Sequence, residues 1–220
     1  MAAIRFDNVV KRYGDVVALD GVDIEIQTGR CHCLLGTNGS GKTTLLRLLL
    51  GLTRPTEGAV VRSTATIGCS FQQPTFYPDL TVTENLDVFG SMVPPPDAQW
   101  RAELLDVLGL DRVATRAAGQ LSGGWQQKLD LALAFLKRPT IAVLDEPLDD
   151  LDEPSKRRFQ RFLADYPDDD HGLLLATHHV DEFAATVDHV TVLDRGRVRD
   201  DGPLTDAALA RQRYLESTSE

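Results

Sequence analysis

The chain has 220 residues, 42% hydrophobic, which suffices for one domain or two closely packed lobes around a real core. Its 33 acidic residues against 23 basic ones leave a net charge of −10, which argues against a nucleic-acid binder, whose footprint is basic. No stretch approaches the ~20 apolar residues of a membrane span, and no signal-peptide pattern opens the chain, so we expect a soluble, cytosolic protein that reaches any membrane through a partner.

Residues 3–27 read as β-rich. Ile4-Arg5-Phe6 starts a strand, Lys11 to Asp15 is expected to turn, and Val22, Ile24 and Ile26 alternate as one face of a second strand. Tyr13 falls in the expected turn, where an exposed aromatic ring can stack on a base. After the breaker Gly29, the apolar run Cys31 to Leu35 reads as a buried strand. Alternation there puts Cys31 and Cys33 on one face and His32 on the other. No second ligand pair is spaced for zinc, so both cysteines read as small core residues.

The next nine residues organise the chain. Gly36-Thr37-Asn38-Gly39-Ser40-Gly41-Lys42-Thr43-Thr44 matches G-x-x-x-x-G-K-[ST] in full, and a helix over Leu45 to Leu52 is expected to follow. The glycines let backbone N–H groups turn inward onto phosphate oxygens, and the helix start adds its positive dipole end. In this pattern Lys42 reaches the β- and γ-phosphates and the Thr43 hydroxyl holds Mg²⁺.

Arg54 to Gly58 reads as a turn, and Val60 to Ser70 as strands leading into Phe71-Gln72-Gln73-Pro74. The Gln72 amide oxygen is of a type that coordinates Mg²⁺ or positions a water. Residues 76–138 read as helical, with a helix opening near Thr83, a break at Pro94-Pro95-Pro96, and a helix from Trp100 to Leu108 stopped by Gly109. Leu121-Ser122-Gly123-Gly124 precedes a further helix over Trp125 to Lys137. This Ser-Gly-Gly turn is either a plain N-cap at Ser122 or a second anion site.

Ile141 to Leu144 is a buried strand running into Asp145-Glu146, two acids where open α/β sheets bind ligands. In phosphate-loop ATPases such an acid holds Mg²⁺, and a neighbouring Glu can deprotonate the attacking water. Leu173 to Ala176 is another buried strand, ending in Thr177-His178, where the imidazole can donate to a γ-phosphate. Val190 to Leu193 follows, then a turn at Arg195-Gly196, and the tail from Thr205 reads as a short helix with a polar end.

Each later motif is weak alone, but their order is specific. Tyr13, GTNGSGKTT (36–44), FQQP (71–74), LSGG (121–124), IAVLDEP (141–147), LDDLD (148–152) and ATHH (176–179) resemble the ATP-binding-cassette (ABC) ATPase family over nearly the whole chain. The resemblance implies an α/β fold: a phosphate-loop NTPase core with an N-terminal antiparallel β subdomain (1–75 and 139–220) and an inserted α-helical subdomain (76–138) carrying the signature. It implies ATP and Mg²⁺ as ligands. Tyr13 would stack on adenine, Gly36 to Thr44 would bind the triphosphate, and Thr43, Gln72 and Asp145 would serve Mg²⁺. Glu146 would be the general base, His178 the γ-phosphate contact, and Ser122, Gly123 and Gly124 would complete the site of a second subunit.

Two positions depart from the family pattern. Trp125 stands where Gln is usual after LSGG, and Asp149 stands where Ser is usual after DEP. We expect activity to survive the Trp125 departure with altered dimer affinity, and the Asp149 carboxylate near the dimer seam to repel the opposite phosphates, against symmetric, efficient hydrolysis. By resemblance, the chain would be the hydrolysing subunit of a membrane transporter, peripheral on the inner face of the membrane. It would pair with a second cassette, as homodimer or heterodimer, and engage separate integral membrane permease chains through Phe76 to Leu86. Export is favoured over import, by analogy with small exporters. The rival readings are a non-transport cassette in DNA repair or translation, and a weakly hydrolysing partner in a heterodimer.

Overall fold

A computed structural model describes residues 2–63, 66–71, 73–91 and 97–204. Gln72, the Pro94–Pro96 break and the tail from Thr205 lie outside the described residues.

The chain opens with an antiparallel hairpin, β1 (Ala2–Tyr13) and β2 (Val16–Gln27). The turn expected over Lys11 to Asp15 is tighter than that. Tyr13 pairs with Val16, leaving only Gly14-Asp15 between the strands, and Gly14 supplies the positive φ (57°) that a two-residue hairpin needs. Next come β3 (Cys31–Leu35), α1 (Lys42–Leu49), β4 (Glu57–Arg62) and β5 (Ile67–Ser70). Glu57 and Gly58 therefore belong to a strand, not to the expected turn, because β4 pairs along β1 from Val10 to Ile4. The Arg62 guanidinium donates to the Leu48 and Leu49 carbonyls, capping the negative end of α1.

Three helices follow: α2 (Val82–Ser91), α3 (Ala98–Leu108) and α4 (Gly123–Phe135). Asp97 caps α3 by accepting from the Gln99 N–H, and Gly109 ends it as expected. α4 begins and ends two residues earlier than its apolar pattern suggests, since the Ser122 carbonyl already accepts from the Trp125 and Gln126 N–H groups. Then come β6 (Ile141–Asp145), α5 (Glu153–Asp165), β7 (Gly172–Thr177), β8 (His189–Asp194) and β9 (Arg197–Pro203). α5 and β9 were not anticipated. The signals for α5 were present: Asp152 accepts from the Ser155 N–H, Pro154 sits in the first turn, and Phe159, Phe162 and Leu163 form its buried stripe.

β2, β1 and β4 form a small antiparallel sheet. The main sheet runs β5-β6-β7-β3-β8-β9, parallel except for the β8–β9 hairpin. Its inner strands β3, β6 and β7 are buried on both faces and so are largely apolar, His32 in β3 and the terminal Asp145 and Thr177 being the polar exceptions. On one face, Cys31, Cys33, Leu35, Ala142 and Leu144 join the helices in one core. On the other, Leu34, Ile141, Val143 and Leu174 pack with α1 and the small sheet in a second. Both cysteines are buried free thiols, as read from the sequence.

Candidate active site

The strand order explains how distant motifs meet. β6, β7 and β3 are neighbours, and their register aligns Asp145 with Ala176, and Thr177 with Leu35. The loop after β3, the acids ending β6 and the histidine after β7 therefore emerge at one edge of the sheet, the C-terminal edge.

A cleft of about 260 Å³ opens there, lined by Thr37, Asn38, Gly39, Gly41 to Thr44, Asp145 and Glu146. Gly36 is required for space: a Cβ on it would lie 2.4 Å from Ser40 Oγ and 2.6 Å from the Leu193 carbonyl. Gly41 is required for conformation, at φ 113°, as it enters α1. No acidic residue stands in the first turn of α1, so its positive end faces the cleft unopposed. Lys42 is buried and donates from Nζ to the Gly36 carbonyl at 2.6 Å and the Thr37 carbonyl at 3.3 Å. Burial lowers its pKa, against the opposing pull of Glu146 and Asp145.

Glu146 is 5% exposed and lies just past β6 with a left-handed backbone, φ 50°. Its Oε1 meets His178 Nδ1 at 2.7 Å, while Oε2 is buried with no hydrogen-bond partner. The exposed His178 ring packs on His179 with centroids 3.7 Å apart. Burial pushes the Asp145 carboxyl up to about 6, helped by the Glu146 charge and opposed by Lys42. The Asp149 carboxyl is raised in the same way, by burial and then by Glu146.

Thr43 and Asp145 also line an adjoining cleft with Arg47, Phe71 and Gln73. A hydroxyl and a carboxylate whose charge is poorly compensated are hard oxygen donors, and this set fits a Mg²⁺-type cation. Gln72, expected beside them, lies outside the described residues.

Tyr13 is half-exposed at the end of β1, with Lys11 Nζ 4.8 Å from its ring centroid, and it does not line the cleft. Val16, Val17 and Ala18, across the hairpin, do. The sequence reading missed them. Their signal was a pair of β-branched residues beside a Gly-Asp turn, and Val16 is 66% exposed.

Ser122, Gly123 and Gly124 do not line this cleft. Ser122 occupies the N-cap position of α4, yet its side chain makes no capping bond. Gly124 is tight against Asp150, whose carbonyl would stand 2.7 Å from an added Cβ. Trp125 is half-buried, with Lys128 Nζ 4.4 Å from its ring centroid and paired at 3.4 Å with Asp152.

Fold and cleft together define a phosphate-loop ATPase cassette. The family model described as ABC transporter matches residues 19–149, more than half of the chain, and the chain belongs to that family. It is 35% identical over 210 residues to the Nod factor export ATP-binding protein I of Cupriavidus metallidurans, covering 89% of this chain and 69% of that one. It is 37% identical over 206 residues to the aliphatic sulfonates import ATP-binding protein SsuB 1 of Mesorhizobium japonicum, covering 89% and 77%. A solved ATP-binding subunit of an ABC transporter superposes with TM-score 0.89 over 98% of this chain and 99% of that one, at 24% identity, a likeness of fold. A dimeric cassette solved after hydrolysis, with ADP and Pi bound, superposes with TM-score 0.80 over 92% and 99%, at 26% identity. The chain is accordingly an ATP-binding subunit of the transporter class and an ATPase. Among the described residues no helix is long and apolar enough to cross a membrane.

Proposed function

We propose that this chain powers export through a separate permease, by closing head to tail with a second cassette over two ATP molecules and hydrolysing them. The observation that carries the hydrolytic reading is the Glu146 carboxylate. One oxygen is held by His178, and the other is buried and unpartnered beside the cleft. That second oxygen is the acceptor for the proton of an attacking water. The N–H groups of residues 36–44, the start of α1 and Lys42 meet the phosphate charge. Thr43 and Asp145, with Gln72, would hold Mg²⁺, which when bound neutralises part of that charge. His178 contacts the γ-phosphate while positioning Glu146. Tyr13 and the exposed Val16 and Val17 offer the base an apolar platform. Ser122, Gly123 and Gly124, outside their own cleft, serve the ATP of the opposite cassette.

Division of the chain into a core (1–75, 139–220) and a helical unit (76–138) gives closure a moving part, and the 76–86 segment gives the permease a docking place at the inner face of the membrane. Export follows the analogy with small single-cassette exporters and the likeness to Nod factor export proteins over 89–90% of this chain, while import ATP-binding proteins align over 89–92%. Co-purification from native membranes in mild detergent tests the assignment. A stoichiometric multi-span protein supports it, and its sequence decides direction. Recovery with ribosomes or DNA-associated proteins alone overturns it.

One observation favours a second reading, a weakly hydrolysing member of a heterodimer: Asp149 adds a carboxylate close enough to interact with Glu146 and His178. In that reading Asp149→Ser raises the turnover of the isolated chain. In the first it leaves turnover within about twofold, the small effect expected of an exposed charge.

A further inference from the structure

At the opposite end of the main sheet from the ATP cleft, three strands place a second cluster of ligating side chains. His32 on β3 is in register with His189 on β8, and Thr191 on β8 is in register with Asp201 on β9. His189 and Thr191 are two residues apart on one strand, so all four project from the same face, toward the small sheet. The His32 and His189 rings lie 4.5 Å apart between centroids. One ligand atom each from His32, His189 and Asp201 falls within 4.8 Å of the others. The cluster borders a cavity of about 510 Å³ whose walls also carry three carboxylates, Asp7, Asp23 and Glu25, and two guanidinium groups, Arg5 and Arg30.

The cluster is joined by short polar contacts. His32 Nε2 lies 2.7 Å from Thr191 Oγ1, the Thr191 hydroxyl donates to Asp201 Oδ1, and His189 Nε2 lies 3.0 Å from the same Asp201 oxygen. Two imidazoles and a carboxylate from three strands thus converge on one point, where a single cation can bridge them.

We propose that His32, His189 and Asp201 form a binding site for a divalent transition-metal ion of the zinc type. Two imidazoles and a carboxylate with an open fourth position are a familiar donor set for that ion. Bonds of about 2.0–2.2 Å require the three groups to draw together. The half-exposed Asp201 carboxylate and the partly exposed His189 have room to rotate inward. The bound ion ties β9 across β8 to β3, so it stabilises the last described strand of the sheet. It is separate from the ATP chemistry at the other end of β3.

The test is a titration of the purified full chain, without nucleotide, with CoCl₂ in excess Mg²⁺. Magnesium fills hard oxygen sites, while imidazole donors select the transition metal. One Co²⁺ per chain is expected, with visible d–d absorption that ZnCl₂ abolishes by displacement. His189→Ala and Asp201→Asn should each weaken binding by at least about tenfold and remove the rise in melting temperature that zinc gives the parent. His178→Ala should retain both signals, which excludes binding at the His178–His179 pair. Retained nucleotide binding in the first two variants shows that they are folded, a safeguard the buried His32 would not allow. The proposal is overturned if no d–d band forms, if the band survives in both β8–β9 variants, or if thiolate charge-transfer absorption places the ion on cysteine.

Discussion

His178 Nδ1 lies 2.7 Å from Glu146 Oε1, across 32 positions of sequence. The contact follows from topology: Glu146 leaves β6, His178 leaves β7, and the two strands are adjacent and parallel. Glu146 leaves with φ 50°, while its N–H still donates to the Ala176 carbonyl at 2.9 Å. A left-handed backbone at a non-glycine residue costs of order 1–3 kcal/mol and persists where the surroundings hold it, commonly at functional sites.

Because the two side chains act as one unit, their losses should not add. Glu146→Gln keeps the shape and removes the base, so turnover should fall by about 10²–10⁴ while ATP binding remains and an ATP-bound dimer accumulates on size exclusion. His178→Ala frees Oε1 and should also slow turnover severely. The double variant should be no slower than Glu146→Gln alone, within about threefold. Single-turnover hydrolysis measures all three. Fully multiplicative effects would mean that the contact is incidental.

The sequence disclosed the site better than the fold. The phosphate loop, the acids after Ile141–Leu144 and the Thr177-His178 step are contiguous motifs, each tied to one strand end, so residue order sufficed. α5 escaped notice because its charged face, Lys156, Arg157, Arg158 and Arg161, masks a narrow apolar stripe. The hairpin turn was drawn too wide because Lys11 and Arg12 look like loop residues, although cross-strand pairing holds them in β1. Nor was the meeting of His32 with His189 and Asp201 legible. It depends on which strands are neighbours, and β9 pairs only after β8 has been placed beside β3.

Asp130 gives stability a pH dependence. It is 3% exposed, and burial raises its carboxyl pKa above 3.8, outweighing hydrogen bonds such as that from the Thr75 N–H at 2.7 Å. The native state therefore holds this proton more tightly than the unfolded chain. Its contribution is fully present below pH 3.8 and is lost as the pH rises through the raised native value. Asp130→Asn keeps the Oδ1 acceptor and removes the charge. It should raise the urea midpoint at pH 8, with the gain shrinking as the pH is lowered toward 4. A gain independent of pH would put the effect elsewhere.

Tyr166 locks the end of α5 to the end of α4 and to the segment leading into β6. It is 6% exposed, its hydroxyl donates to the Pro139 carbonyl at 2.6 Å, and its ring meets Phe135 edge-on with centroids 4.8 Å apart. Tyr166→Phe keeps the ring and leaves a buried carbonyl unpaired, at a cost of about 1–3 kcal/mol. For a chain of this length that lowers Tm by about 2–12 °C. Calorimetry checks the shift. ATP turnover below the transition should be unchanged, because nothing at the cleft touches this contact.

A change at Asn85 tests whether the proposed docking of a permease is separable from hydrolysis. Asn85 is fully buried in α2. Its Oδ1 accepts from the Tyr77 N–H at 2.8 Å, and its Nδ2 donates to the Tyr77, Leu80 and Thr81 carbonyls at 3.0, 3.2 and 3.0 Å. One amide thus fixes the loop that carries the 47% exposed Tyr77 in the proposed docking segment. Asn85→Ala removes the acceptor of the Tyr77 N–H and leaves the Tyr77, Leu80 and Thr81 carbonyls with only their backbone donors, while touching no residue of the cleft. Hydrogen exchange should rise locally over residues 77–81, and turnover of the isolated chain should stay within about twofold, since distant sites are usually independent. Recovery of the permease from membranes should fall, because an interface loop that must be ordered on contact binds more weakly. Loss of turnover together with loss of capture would mean that this loop reports to the ATP site even without a partner. Capture at the parent level would move the docking surface elsewhere.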